Sequence, residues 1–177
     1  DYIEDETTDA IDRKEFEKLA EKDAKLLLNN YKDDIDMSID IKEFRDLISQ
    51  LNYQQRKLFD DYVERLCDVS EDKVPFYIYI GGEAGTGKSH LARVMIEATK
   101  YIGKFSGSEL EKPSVLVMAP TGNAAFIVHG KTIESALGMR PQKGQGYVKM
   151  SSSIESSLRF TYENVLSAFV DEVSMVG

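Results

Sequence analysis

Residues 76–80, Phe-Tyr-Ile-Tyr-Ile, run straight into Gly81-Gly82-Glu83-Ala84-Gly85-Thr86-Gly87-Lys88-Ser89. No other stretch constrains the chain as strongly. Five apolar or aromatic residues without a charge predict a strand buried on both faces. From Gly82 onward the spelling is glycine, four residues, then Gly-Lys-Ser, the pattern of a phosphate-gripping loop. Glycines let the backbone turn so tightly that its N–H groups converge on phosphate oxygens. Lys88 is placed to reach the β- and γ-phosphates of a nucleoside triphosphate, and the Ser89 hydroxyl to ligate Mg²⁺. Residues 89–102 then repeat apolar positions at helical spacing (Leu91, Met95, Ala98, Ile102), which predicts a helix aiming the positive end of its dipole at those phosphates. The predicted ligand contacts are Gly82, Glu83, Ala84, Gly85, Thr86, Gly87, Lys88, Ser89 and His90, with a nucleoside triphosphate and Mg²⁺ as the expected cofactors. A glycine-rich turn can match this spelling by chance. The strand before it and the helix after it argue for a nucleotide site.

With 177 residues the chain has room for one domain with a sizeable core and a small appendage. The single cysteine, Cys67, excludes a disulfide framework and a cysteine metal cluster, and its helical context predicts a small core residue. Two histidines are too few for a metal site of their own. No run reaches membrane-spanning length and nothing resembles a signal peptide, so the expected setting is intracellular. Charge is uneven. Residues 1–74 hold 22 acidic and 12 basic side chains, whereas residues 75–177 hold 9 and 10. The acidic half would repel a nucleic acid, and the near-neutral half would tolerate one.

Along the chain, residues 1–12 are acidic and poor in apolar side chains, and residues 13–31 form an amphipathic pattern. Residues 33–40 are an acidic connector. It imitates a calcium loop, but Lys32 falls on the first ligand position and Met37 where the turn needs glycine. Helices are predicted over 41–50 and over 53–67, the second capped by Asn52. After the loop helix come a strand at 114–119, a turn at 120–123, short helices at 124–129 and 132–137, a surface loop at 138–150, a helix at 151–160 and a strand at 165–170. Strands alternating with helices imply a parallel three-layer α/β sheet. The expected division is an acidic helical lead-in at 1–46 and a main domain at 47–177.

The last apolar strand ends in Asp171-Glu172. An acid at the carboxyl end of a parallel strand sits in the crevice where such sheets bind ligands. Asp171 is expected to hold the Mg²⁺ shell and Glu172 to polarise the attacking water, with Lys88 neutralising phosphoryl charge. An acidic strand end is weak evidence alone. After a phosphate loop it points to a nucleoside triphosphatase.

Three segments in order, Gly-Gly-Glu-Ala-Gly-Thr-Gly-Lys-Ser, Ala-Pro-Thr-Gly-Asn-Ala-Ala and Asp-Glu-Val-Ser-Met-Val-Gly, resemble motifs of the Pif-type (petite integration frequency) superfamily-1B DNA helicases, relatives of RecD. Upstream, Leu51-Asn52-Tyr53-Gln54-Gln55 resembles their adenine-reading Q motif. The resemblance covers residues 47–177 and leaves out the acidic lead-in. It implies a P-loop, RecA-like sheet, ATP-driven 5′-to-3′ unwinding and parent roles in DNA repair, recombination or telomere maintenance, with a nuclear location in a eukaryote. It implies that Gln55 bonds the adenine edge, the bland alternative being an exposed helix residue. It also implies that Pro120, Thr121, Gly122 and Asn123 touch the backbone of single-stranded DNA, against the alternative of an ordinary strand-to-helix turn. One departure stands out. The family shows Thr-hydrophobic-His-Ser where this chain has Thr132-Ile133-Glu134-Ser135, and an acid there repels phosphate.

The sensor motif, the second RecA-like domain and its site-completing arginines would follow Asp171, so the chain is expected to represent the amino-terminal part of a first motor domain, inactive alone. The rival class is a nucleotide-binding switch without turnover. A loader-type ATPase fits less well, because of the Ala-Pro-Thr-Gly motif. The resemblance also fixes a sheet order: strand 115–119 should pair with strand 165–170, and strand 76–80 should not.

Overall fold

The computed structural model describes residues 39–70, 72–105, 112–139 and 150–176. The readings for residues 1–38 and most of the loop at 138–150 lie outside that range. Asn52 starts the best-specified element. Its side chain accepts from the Gln55 amide nitrogen and the Gln55 side chain accepts from the Asn52 N–H, a reciprocal capping box. The helix that follows, α2, spans Tyr53–Cys67, as the apolar periodicity predicts. Before it, α1 covers Ile41–Ser49, and after the phosphate loop α3 runs over Lys88–Phe105.

These three helices build the larger core. Leu47 of α1, Phe59, Tyr62 and Leu66 of α2, and Leu91, Val94, Met95 and Ala98 of α3 are all buried against one another. Burying a side chain of this size contributes about 1.5–3 kcal/mol. Helix α1 is fastened to α3 by the Arg93–Glu43 ion pair at 3.1 Å and by Phe44 stacked on Tyr101 at 4.9 Å. It therefore crosses the expected boundary at residue 46, and Ile39, Glu43 and Phe44 make contacts with the main body.

The sheet is small and parallel. Its strands are β1 (Val115–Ala119), β2 (Lys131–Thr132) and β3 (Ser167–Val170), in the order β2-β1-β3. β1 pairs with β3 in the register Val115 to Ser167 through Met118 to Val170, and with β2 through Met118 to Lys131. Leu116 and Met118, two residues apart on one face of β1, meet Ala136, Ile133 and Tyr162 in a second core. The connections are α4 (Gly122–Ile127), α5 (Ile133–Ala136) and α6 (Ser152–Thr161), each started by a side-chain cap from Thr121, Thr132 or Ser151. This is the parallel α/β arrangement expected of part of a RecA-like domain, and the β1–β3 pairing is the one the resemblance implies.

Two expectations need correction. Residues 76–80 are extended but join no ladder among the described residues, and they are not buried on both faces. Phe76, Ile78 and Ile80 pack on the helical core, while Tyr77 and Tyr79 are 95% and 81% exposed. An uncharged run reports apolarity, and a strand additionally needs a hydrogen-bonded neighbour. Cys67 is exposed, not a core residue. Leu66 is the last inward position of α2, and one further residue turns about 100° around the helix, off the packed face. β2, only two residues long, has no counterpart in the sequence reading.

Candidate nucleotide site

The phosphate loop reaches its shape through left-handed glycines. Gly82, Gly85 and Gly87 have φ of 151°, 79° and 82°, values that residues with a Cβ rarely adopt. Thr86 Oγ1 donates to the Glu83 carbonyl at 2.9 Å and ties the turn across. Lys88 begins α3 and folds back over the loop, its Nζ donating to Gly82 O at 2.9 Å and Glu83 O at 2.7 Å. The ammonium thus sits against the loop's own backbone, with carbonyls as its acceptors. A polyphosphate, with stronger anionic acceptors, would compete for it. Ser89, next along, is exposed.

His90 faces the other way from this group, with Nε2 3.2 Å from the Leu47 carbonyl oxygen of α1. Gln55 is half-buried, and its amide is engaged at both ends. Oε1 accepts from the Asn52 N–H at 3.0 Å, and Nε2 donates to Thr86 O and Gly87 O, each at 3.3 Å. The sequence reading missed this contact. A readable signal existed in the Asn-x-x-Gln spacing, which announces a capping box and thereby orients the Gln55 side chain.

Asp171 and Glu172 lie where the parallel strands end. The Asp171 N–H donates to Met118 O at 2.9 Å, continuing the β1–β3 ladder, and Asp171 Oδ1 accepts from the Glu172 N–H at 3.0 Å. Glu172 adopts left-handed backbone angles, φ 49° and ψ 40°, and starts the 3₁₀ turn Val173–Met175. Both carboxylates are exposed. The Ser89 hydroxyl and the Asp171 carboxylate are hard oxygens of the kind Mg²⁺ takes beside phosphate oxygens, and the Lys88 ammonium is a counter-charge for phosphate. Among the described residues no group of three or more His, Cys, Asp or Glu gathers, and a nucleotide-bound Mg²⁺ needs none.

The turn Pro120-Thr121-Gly122-Asn123 leaves β1 at the same carboxyl edge, one register step from Asp171. Thr121 caps α4 by accepting from the Ala124 N–H at 3.2 Å, and Gly122 and Asn123 are exposed. Beside them a shallow depression is lined by Gly122, Ala125, Phe126, Gly130, Lys131 and Thr132. Glu134 is exposed in the first turn of α5.

A family model described as PIF1-like helicase matches residues 50–177. Over 102 residues the chain is 38% identical to the ATP-dependent DNA helicase PIF1 of Saccharomyces cerevisiae (strain YJM789). The aligned part is 56% of this chain and 11% of the yeast protein, so the chain spans a small share of that relative's length. No solved structure matches the chain.

Proposed function

Because the chain belongs to the PIF1-like helicase family, we propose that it forms the nucleotide-gripping part of the first motor domain of an ATP-dependent 5′-to-3′ DNA helicase. The observation that carries this reading is the β1–β3 register. By pairing Met118 with Val170 it puts the 120–123 turn and the Asp171-Glu172 pair on one edge of the sheet, in the order that the motifs imply. ATP is gripped by the backbone N–H groups of Gly82 through Ser89 and by Lys88, which leaves its loop carbonyls for the phosphates. Ser89 and Asp171 hold Mg²⁺, which supplies charge neutralisation at the β- and γ-phosphates. Glu172 orients the attacking water, and Gln55 abuts the loop from the start of α2.

Single-stranded DNA lies along Pro120, Thr121, Gly122 and Asn123, where exposed backbone N–H groups meet its phosphates. The second RecA-like domain closes on the nucleotide from across the cleft and brings the completing arginines. In the cell this activity serves DNA repair, recombination or telomere maintenance, in the nucleus of a eukaryote. No described helix is long and apolar enough to cross a membrane.

The test is strand separation by a polypeptide carrying this chain together with a second motor domain. ATP-dependent opening of 5′-tailed duplexes, with 3′-tailed duplexes left intact, is the expected result. Tight ATP binding without DNA-stimulated turnover would favour a nucleotide-binding switch instead.

A further inference from the structure

The Gln55 amide touches the phosphate loop, and its orientation is determined. Oε1 must face the Asn52 N–H, because only an oxygen can accept there, so Nε2 is the atom against the loop. It lies so close that a Cβ built on Gly87 would come within 2.6 Å of it. Its acceptors, Thr86 O and Gly87 O, belong to the two peptide units whose N–H groups are those of Gly87 and Lys88. In a trans peptide the C=O and N–H point in opposite directions. Drawing both carbonyls toward α2 therefore turns both N–H groups away from α2. Gly87 O also accepts from the Leu91 N–H at 3.0 Å, so the second peptide is held from two sides.

We propose that Gln55 is a positioning residue for the polyphosphate: it presets the Gly87 and Lys88 N–H groups and so strengthens nucleotide binding whatever the base. The inference rests on the nucleotide-site reading of the loop, but it assigns Gln55 a role separate from reading adenine. A base reader contributes nothing to a ligand that has no base. A loop-positioning residue contributes equally with and without one.

The experiment is calorimetric titration of the 177-residue chain with Mg-ATP, Mg-GTP and Mg-tripolyphosphate, comparing wild type, Gln55→Met and Asn52→Ala. Methionine keeps length and helix propensity but cannot donate. Asn52→Ala removes a cap while leaving the Nε2 contacts in place. In Gln55→Met all three ligands should weaken by a similar factor of about fivefold to tenfold, the scale of one or two hydrogen bonds. Asn52→Ala should stay within about twofold of wild type. Loss confined to ATP would overturn the proposal in favour of an adenine reader. Unchanged affinities in Gln55→Met would overturn it outright. An equal loss in Asn52→Ala would trace the effect to fraying of α2 and overturn it too. Wild-type protein that binds none of the ligands would instead remove the nucleotide-site reading beneath it.

Discussion

The Tyr62 hydroxyl and Thr99 Oγ1 lie 2.6 Å apart between α2 and α3. Thr99 spends its own hydrogen on the Met95 carbonyl at 2.9 Å, so Tyr62 is the donor. The same ring meets Phe76 and Phe169 edge-on, at centroid distances of 6.2 and 6.1 Å. One side chain therefore joins the Gln55 helix, the phosphate-loop helix, the extended approach to the loop and β3.

Tyr62→Phe should lower stability by about 1 kcal/mol, because it leaves a buried hydroxyl without its donor. Burial raises the Tyr62 pKa above its ordinary value of 10.0. A raised pKa means that the folded protein keeps a proton the unfolded chain gives up. Its contribution is intact below pH 10.0 and is lost as pH rises through the folded value. Thermal melts of wild type should thus fall off above about pH 10, and Tyr62→Phe should fall off less steeply. Parallel pH profiles for the two proteins would reject this role.

Lys88→Ala should weaken Mg-ATP binding by about tenfold to a hundredfold, since charge-assisted hydrogen bonds contribute about 1.5–3 kcal/mol. The fold should survive, because Lys88 anchors only loop carbonyls. Titration with a fluorescent ATP analogue reads the effect, and an unchanged dissociation constant would contradict the site.

Glu172 carries two separable costs. In a polypeptide with both motor domains, Glu172→Gln should keep ATP binding and lower turnover by about a hundredfold or more, the scale of general-base loss. Steady-state phosphate release measures it, and near-wild-type turnover would remove Glu172 from the chemistry. Its left-handed backbone, at φ 49°, also stores strain that glycine lacks. Glu172→Gly should therefore be equally inactive yet no less stable, with denaturant melts as the check.

Gly130→Ala should destabilise by about 1–3 kcal/mol, the usual cost of overpacking. A Cβ there would stand 2.5 Å from the Val117 carbonyl oxygen, part of the central strand β1. Backbone in a paired strand cannot step aside as a flexible side chain does. A melt indistinguishable from wild type would show that β1 yields more easily than its ladder suggests.

Local patterns were enough for the parts that local physics decides. The Asn52 cap and the limits of α2 follow from capping chemistry and 3.6-residue periodicity, and the loop from Gly82 to Ser89 follows from its glycine spacing. β1 and β3 followed from apolar runs between turn signals, and their pairing from the family resemblance. Tertiary structure decided whatever depends on a distant neighbour. Residues 76–80 have strand composition, but a ladder exists only where another backbone supplies partners, so their pairing is invisible to periodicity. Cys67 sits on a helix whose packed face ends one residue earlier, and only the position of α3 shows where that face ends. Gln55 read as an adenine contact or an exposed residue. Its grip on Thr86 and Gly87 spans more than thirty positions of chain, a distance that no local pattern crosses.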